Sequence, residues 1–324
     1  PLARRRWVAV QLSSLWRKPK IGLALGSGGL GGAAHIGVLK VLAEAGLPIH
    51  AVTGTSVGAV VGGLYACGWS PEDMRRQLTS LTVEDLYDEP VNSRAVVRRG
   101  LSYLFRLIGR RQKAGPLLAF TRGDRIAGHL RAWTGGRTFA DLPVPLAVVA
   151  ADLATGQRVI FTSPAASRRM RREHPDAVVL DDVPVWLALR ASMSIPGVFE
   201  PAEVEGRPLA DGGLVDPVPD GLVASLGATV TVAVSLEGFA GDSGPIKDLP
   251  HLLSRAVDVM SLTIADLRAC ADLTIRPGTG DVGLLELERL PDCIRAGEEA
   301  ARRALPHLQR LLRKPWARRT TGAW

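Results

Sequence analysis

The alternation of apolar and polar positions divides the chain into short, wholly apolar runs and longer amphipathic ones. "IGLALG" (21–26) is a continuous apolar run of strand length, the pattern of a strand buried on both faces. A glycine cluster follows it. Next comes an apolar-periodic stretch that predicts a helix from about Ala33 to Ala45, capped by Gly46. "IHAVTGTS" (49–56) predicts a second strand, and "VGAVVGGLYACG" (57–68) a helix rich in small residues. A β-α-β-α opening predicts adjacent parallel strands in an open sheet.

From residue 71 to about 135 the pattern is mostly amphipathic helix: "SPEDMRRQL" places Pro71 at a first helical position, and "GDRIAGHLRAW" is periodic. Strand signals return in "PLAVVAADL" (145–153) and "QRVIFT" (157–162), joined by "ATG" in the manner of a hairpin. "VPVWLALRAS" (183–192) predicts a helix, "RPLADGG" (207–213) a short strand and turn, and "ATVTVAVSL" (228–236) another buried strand. A polar, glycine-rich loop (237–245) precedes a long helical pattern at 246–270, and "ADLTIRP" (271–277) reads as a last strand. The C-terminal pattern is helical, with Pro306 kinking or breaking it. No internal repeat is visible. The order of elements predicts an α/β protein of three layers, α/β/α, around a mainly parallel sheet. It divides into a basic segment at 1–19, one α/β domain at 20–276 with its motifs within 21–220, and a helical, basic extension at 277–324.

Composition adds bounds. With 46% hydrophobic and 22% charged residues the chain is ordinary globular material. Cys67, Cys270 and Cys293 are odd in number and widely spaced, which argues against a disulfide framework or zinc ribbon and suits a reducing compartment. No apolar stretch approaches the ~20 residues of a membrane span. The net charge of +8 is unevenly placed: residues 1–20 hold six basic side chains and residues 300–324 seven, with no acidic residue in either, so residues 21–299 sum to −5. Val91 to Arg122 adds eight basic residues and no acid. Interleaved with Trp7, Trp16, Tyr103, Phe105 and Trp316, these patches suit an anionic membrane surface, at ~1 kcal/mol per basic residue near it. Solvated tails are the plain alternative. Nucleic acid would use the same electrostatics, but no nucleic-acid-binding signature accompanies the charge, so it is not expected as a partner. The expected location is the cytoplasm, with peripheral membrane contact as the added option; oligomeric state is left open.

The chemistry concentrates at two junctions. Gly54-Thr55-Ser56-Val57-Gly58 matches G-x-S-x-G where an apolar strand meets a helix, the context in which such a turn projects its serine from the sheet edge. A small-residue packing turn is the competing reading. A serine needs a base and an oxyanion site. His251 and His307, late enough for an ordinary hydrolase triad, sit in helical patterns rather than at strand ends; His35, His50, His129 and His174 have no motif around them. "PLADGGLVDP" places Asp211 at a strand end beside Gly212 and Gly213, where a carboxylate could take a serine proton if partly desolvated; a plain turn is the alternative. The opening loop satisfies G-x-G-x-x-G at Gly26, Gly28 and Gly31. Yet the second strand ends without the acid a dinucleotide site wants, and no G-K-[S/T] follows. Amides at that helix start suit a tetrahedral oxyanion as well as a phosphate.

The ordered set of a glycine-rich strand–helix loop, G-x-S-x-G at the next strand–helix turn, and D-G-G about 150 residues later resembles the patatin-like phospholipase family, closest to its bacterial branch. The likeness covers roughly Ile21 to Ala233 and includes "HIGVLKVL", "GTSVGAVVGGLYA", "GDRIAGHLR", "ALRASMSIPGVFEP" and "DGGLVDPVP". It implies that 20–276 is a catalytic domain with a Ser–Asp dyad: Ser56 the nucleophile, Asp211 the base, and amides of Gly28, Gly29 and Val57 the oxyanion hole. Gly26, Gly31, Gly32, Gly54, Gly58, Gly212 and Gly213 would support these motifs. The implied reaction is hydrolysis of a carboxylic ester of a lipid through an acyl-enzyme, without metal or organic cofactor. A thioesterase, small-ester hydrolase or acyltransferase on the same dyad, or a non-catalytic protein retaining the fold, are the alternatives. The stretch at 94–113 is the candidate substrate entry or membrane-facing lid. Three positions depart from the family pattern: Gly31 replaces a usual basic residue, Ser27 a usual glycine, and Asp216 a usual asparagine. Asp216 would either raise the pKa of Asp211 by repulsion or face solvent.

Overall fold

The computed structural model of the protein describes residues 19–88, 119–236, 249–280, 282–283 and 285–313. The segments at 1–18 and 314–324, the 94–113 stretch and the 237–245 loop lie outside them.

The apolar runs form strands where their pattern places them. Strand β1 (Ile21–Leu25) leads through a short 3-10 turn (Gly29–Ala33) into helix α1 (Ala34–Glu44), and β2 (Ile49–Thr55) into α2 (Val57–Ala66). Helix α3 (Pro71–Thr79) starts as its sequence dictates, with Pro71 in the first turn and the Ser70 hydroxyl accepting the Asp73 N–H. A single turn, α4 (Val83–Leu86), follows. Next come β3 (Ala119–Thr121), α5 (Asp124–Thr134) and the hairpin of β4 (Leu146–Asp152) with β5 (Arg158–Thr162). Helix α6 (Pro164–Glu173), β6 (Val178–Leu180) and α7 (Val185–Ser192) lead to β7 (Gly197–Phe199), β8 (Ala202–Val204) and β9 (Arg207–Asp211). The chain closes with β10 (Val230–Val234), α8 (Leu249–Arg268), β11 (Leu273–Ile275) and α9 (Leu290–Arg313). Helix α9 continues through Pro306 rather than breaking there, and Leu308 beyond it is buried. Its apolar stripe keeps the turn packed despite the missing N–H.

The central sheet has the order β11-β10-β1-β2-β4-β5-β6, parallel from β11 to β4. Side-chain alternation along these strands feeds two cores. Leu23, Leu25, Val148 and Phe161 point into one, with Ile36 and Leu39 of α1, Leu64 of α2, Leu189 of α7 and Ile294 of α9. Ile160, Val149 and Ala147 point into the other, against Met170 of α6 and Leu222 of the 3-10 segment Asp220–Leu226. Helices on both faces of a mostly parallel sheet make three α/β/α layers. Helix α9 crosses α1 closely: a Cβ on Gly37 would overlap the Ile294 carbonyl oxygen, and one on Gly297 that of Ala34.

One substitution in the sheet's own lattice positions the site. Strand β2 pairs with β4 up to Thr55↔Val149, and β9 then pairs antiparallel with the same strand from Asp211↔Ala150. Where β2 ends, β9 takes over. Ser56, the residue after Thr55, and Asp211 are therefore delivered to one spot from 155 residues apart.

Candidate active site

Ser56 occupies the turn between β2 and α2 with φ 57° and ψ −128°. Positive φ is costly for a residue with a Cβ, of order 1–3 kcal/mol, and persists where surrounding contacts impose it. Those contacts are visible. The Ser56 N–H donates to the Ser192 hydroxyl at 2.8 Å, and that hydroxyl donates to the Val149 carbonyl at 2.6 Å, tying the turn to α7 and β4. The glycines on either side are needed for close approach: a Cβ on Gly58 would overlap the Leu25 carbonyl oxygen, and one on Gly54 would lie 2.6 Å from the Ala59 Cα. The helix thus sits directly against the end of β1.

The Ser56 hydroxyl donates to Asp211 Oδ2 at 2.6 Å, and Asp211 Oδ1 accepts the Gly213 N–H at 2.8 Å. Both residues are buried, Ser56 at 4% and Asp211 at 7% exposure. Burial penalises the carboxylate and pushes the Asp211 pKa up to about 6, against the opposing hydrogen bonds from Ser56 and Gly213. Gly212 is held by the β4 edge, where a Cβ would overlap the Val149 carbonyl oxygen. The Ser261 hydroxyl of α8 donates to the Gly213 carbonyl at 3.1 Å. No histidine among the described side chains hydrogen-bonds Ser56 or Asp211.

The glycine loop lies beside this pair. Gly28 (φ 152°) and Gly29 (φ 53°) have left-handed backbones, and a Cβ on Gly28 would lie 2.8 Å from Leu236. Gly32 packs so tightly on Val57, the first residue of α2, that a Cβ there would overlap the valine side chain. Loop and helix N-terminus are therefore packed against each other next to Ser56, and the first-turn amides of α2 have no intrahelical acceptor. Gly26 closes the loop's base, its N–H donating to the Val234 carbonyl at 2.9 Å. At Gly31 a Cβ would lie 3.1 Å from the Thr279 hydroxyl, so the segment after β11 covers this position.

Asp216 neither faces solvent nor acts on Asp211. It is 3% exposed and accepts a hydrogen bond from Arg158 at 2.6 Å in a buried ion pair. Asp216's own pKa is raised by burial, with Arg158 opposing. Its carbonyl accepts the Thr55 hydroxyl at 2.7 Å, so the pair also anchors the end of β2. Ser192 and Arg158 are supports that the sequence reading did not single out. A serine closing an otherwise apolar helix and an arginine opening an apolar strand were the available signals. Among the described residues, no group of three or more His, Cys, Asp or Glu side chains could hold a metal ion.

A strained strand–helix serine within hydrogen-bond reach of a buried carboxylate, on an α/β/α sheet beside an amide-bearing glycine loop, defines a class of protein built like a serine hydrolase. The patatin-like phospholipase family model matches residues 23–220, and the chain belongs to that family. An uncharacterized NTE family protein of Mycobacterium tuberculosis is 36% identical over 232 residues, covering 71% of this chain and 52% of that protein. The lysophospholipase nte1 of Emericella nidulans is 30% identical over 228 residues, covering 69% of this chain and 12% of its own. The chain thus spans about half the length of the mycobacterial relative. Among solved structures, VipD of Legionella pneumophila shares the fold with a TM-score of 0.51 at 16% identity, covering 90% of this chain and 67% of that one.

Proposed function

We propose that this chain is a serine lipid acyl hydrolase working through a Ser56–Asp211 dyad. The observation that carries the reading is the 2.6 Å bond from the Ser56 hydroxyl to a buried carboxylate. In the first step Ser56 Oγ attacks the ester carbonyl carbon while its proton passes to Asp211 Oδ2. The carbonyl oxygen becomes an oxyanion accepting N–H bonds from Gly28, Gly29 and Val57. Collapse breaks the ester C–O bond, and the departing alcohol takes the proton from Asp211, leaving an acyl-serine. A water molecule then gives its proton to Asp211 and attacks the acyl carbon; collapse breaks the bond from that carbon to Ser56 Oγ, Asp211 returns the proton to Oγ, and the carboxylic acid leaves. Lipid esters as the substrate class are supported by the family and by the lysophospholipase relative.

The elevated Asp211 pKa suits this role, because a base near the working pH combines ionisation with proton affinity. It also fixes a sign. Asp211 must be ionised to accept the proton, so kcat/KM on a soluble lipid-like ester should fall about tenfold per pH unit below a midpoint near 6 and level off above it. A rate–pH series at constant ionic strength checks this; a midpoint near 4, the ordinary aspartate value, speaks against a desolvated base.

Peripheral membrane contact through the basic ends belongs to the same reading, supported by the thirteen basic and no acidic residues in 1–20 and 300–324. No helix among the described residues is long and apolar enough to cross a membrane, and α8 exposes Val257, Met260 and Leu267. Co-sedimentation with vesicles containing anionic lipid should be strong, weaken with salt, and drop when residues 1–19 are trimmed. Binding indifferent to anionic lipid would remove this part of the proposal.

A further inference from the structure

His35 is wholly buried at the start of α1, and the mechanism above makes no use of it. Its Nε2–H donates to the carbonyl of Gly26 at 2.8 Å, while Nδ1 has no hydrogen-bond partner. A carbonyl can accept but not donate, so the proton resides on Nε2. A second proton on Nδ1 would be buried without an acceptor, and burial accordingly pushes the His35 pKa down to about 4. The ring is thus a neutral, fixed donor across the pH range in which Asp211 is ionised.

What it holds is the base of the glycine loop. Gly26 is the first residue after β1, and the bond from His35, nine positions on, closes the segment that contains Gly28, Gly29 and the 3-10 turn. The same carbonyl lies against the first turn of α2, where a Cβ on Gly58 would come within 2.5 Å of its oxygen. One oxygen therefore touches the loop, the helix carrying Ser56 and the helix that follows the loop. Two left-handed glycines, without Cβ atoms, give the loop wide backbone freedom. A fixed closure is what converts such a loop into directed amides.

We propose that His35 is a positioning residue: its Nε2–H bond to the Gly26 carbonyl aims the amides of Gly28 and Gly29 at the tetrahedral oxyanion formed on Ser56. The inference rests on the loop serving as the oxyanion site. Misplacing such donors by about 1 Å costs on the order of 10²-fold in rate, and it does so in the transition state rather than in ground-state binding.

The decisive comparison is His35→Gln against His35→Asn, with His35→Ala beside them. A glutamine amide nitrogen reaches about where Nε2 stands; that of asparagine reaches only to Nδ1. His35→Ala and His35→Asn should lower kcat roughly 10- to 100-fold with KM within about twofold, and His35→Gln should recover most of the loss. Affinity for an alkyl trifluoromethyl ketone, which adds Ser56 to give a tetrahedral hemiketal, should weaken in parallel with kcat. The rate–pH midpoint near 6 should stay in place, because Asp211 is untouched. If His35→Ala does not fold, the Gln–Asn pair still decides, since both retain a polar side chain. Equal activity in the Gln and Asn variants, or losses confined to KM, overturns the positioning role. A wild-type chain that neither turns over esters nor captures the ketone overturns the catalytic reading itself and this role with it; full wild-type activity with indifferent variants overturns His35 only.

Discussion

Asp211→Asn is expected to lower turnover of a lipid ester by roughly 10²–10⁴-fold, the range a positioned general base supplies, while making the fold firmer at neutral pH. Asparagine keeps the shape of the side chain, and its carbonyl oxygen can still accept the Gly213 N–H. What it loses is the capacity to take the Ser56 proton. The stability gain follows from the same burial that tunes the base. Burial raises the Asp211 pKa from the ordinary 3.8 of an aspartate to about 6 in the folded chain, so the folded state binds the proton more tightly than the unfolded one. Its contribution to stability is fully present below pH 3.8 and is lost as pH rises through about 6. Above that pH the buried charge costs on the order of 3 kcal/mol, which a neutral amide avoids. The variant's melting temperature should therefore exceed wild type at pH 7.5 by more than at pH 5. Ser56→Ala should lose activity as completely and without that pH-dependent gain. Turnover within tenfold of wild type in Asp211→Asn would contradict its role as base.

Arg158→Met is expected to destabilise the chain by about 3–5 kcal/mol, a fall in Tm on the order of 10 °C, without touching either member of the dyad. Arg158 and Asp216 are both buried, and the 2.6 Å contact between them is the compensation for removing two charges from water. Removing the arginine strands Asp216, whose carboxyl is raised by burial already and whose carbonyl holds Thr55 at the end of β2. The neighbouring His174, at 3.5 Å from Arg158 and 3.2 Å from Ser225, has its own pKa lowered by burial and by the Arg158 charge. Replacing both partners is a different matter. Arg158→Met with Asp216→Asn leaves no stranded charge, and urea unfolding should recover much of the loss. A double variant as unstable as the single one would mean that packing around the guanidinium, not charge pairing, carries the effect.

The sequence made the frame legible wherever burial demands a continuous apolar run. Strands β1, β2, β4, β5 and β10 bury nearly every side chain, so their composition announces them. The stretch through α6 and β6 does not announce itself. "PAASRRMRRE" buries only Ser167 and Met170 and shows no apolar stripe, and β6 is three residues long. Strands β3, β7 and β8 are equally short and set by their neighbours. At the site, Ser56 and Asp211 stand out because close backbone approach demands glycines beside both, and glycines are visible in sequence. The takeover of the β4 edge by β9 is not, since strand pairing across the chain leaves no local mark. The same holds for Ser192 beneath the serine and for Arg158 opposite Asp216, partners 136 and 58 residues apart. Asp216 shows the limit best: one carboxylate five residues from another suggests repulsion until its buried pairing with Arg158 is known.

Ser56, activated by Asp211, should behave as a nucleophile toward phosphorus electrophiles. Peptide mass spectrometry after reaction with an active-site-directed fluorophosphonate at pH 7.5 tests it most directly. The expected result is a single phosphonyl adduct on Ser56, absent in Ser56→Ala and formed at least about 100-fold more slowly in Asp211→Asn. An adduct on another residue, or labelling of Asp211→Asn at the wild-type rate, would contradict it.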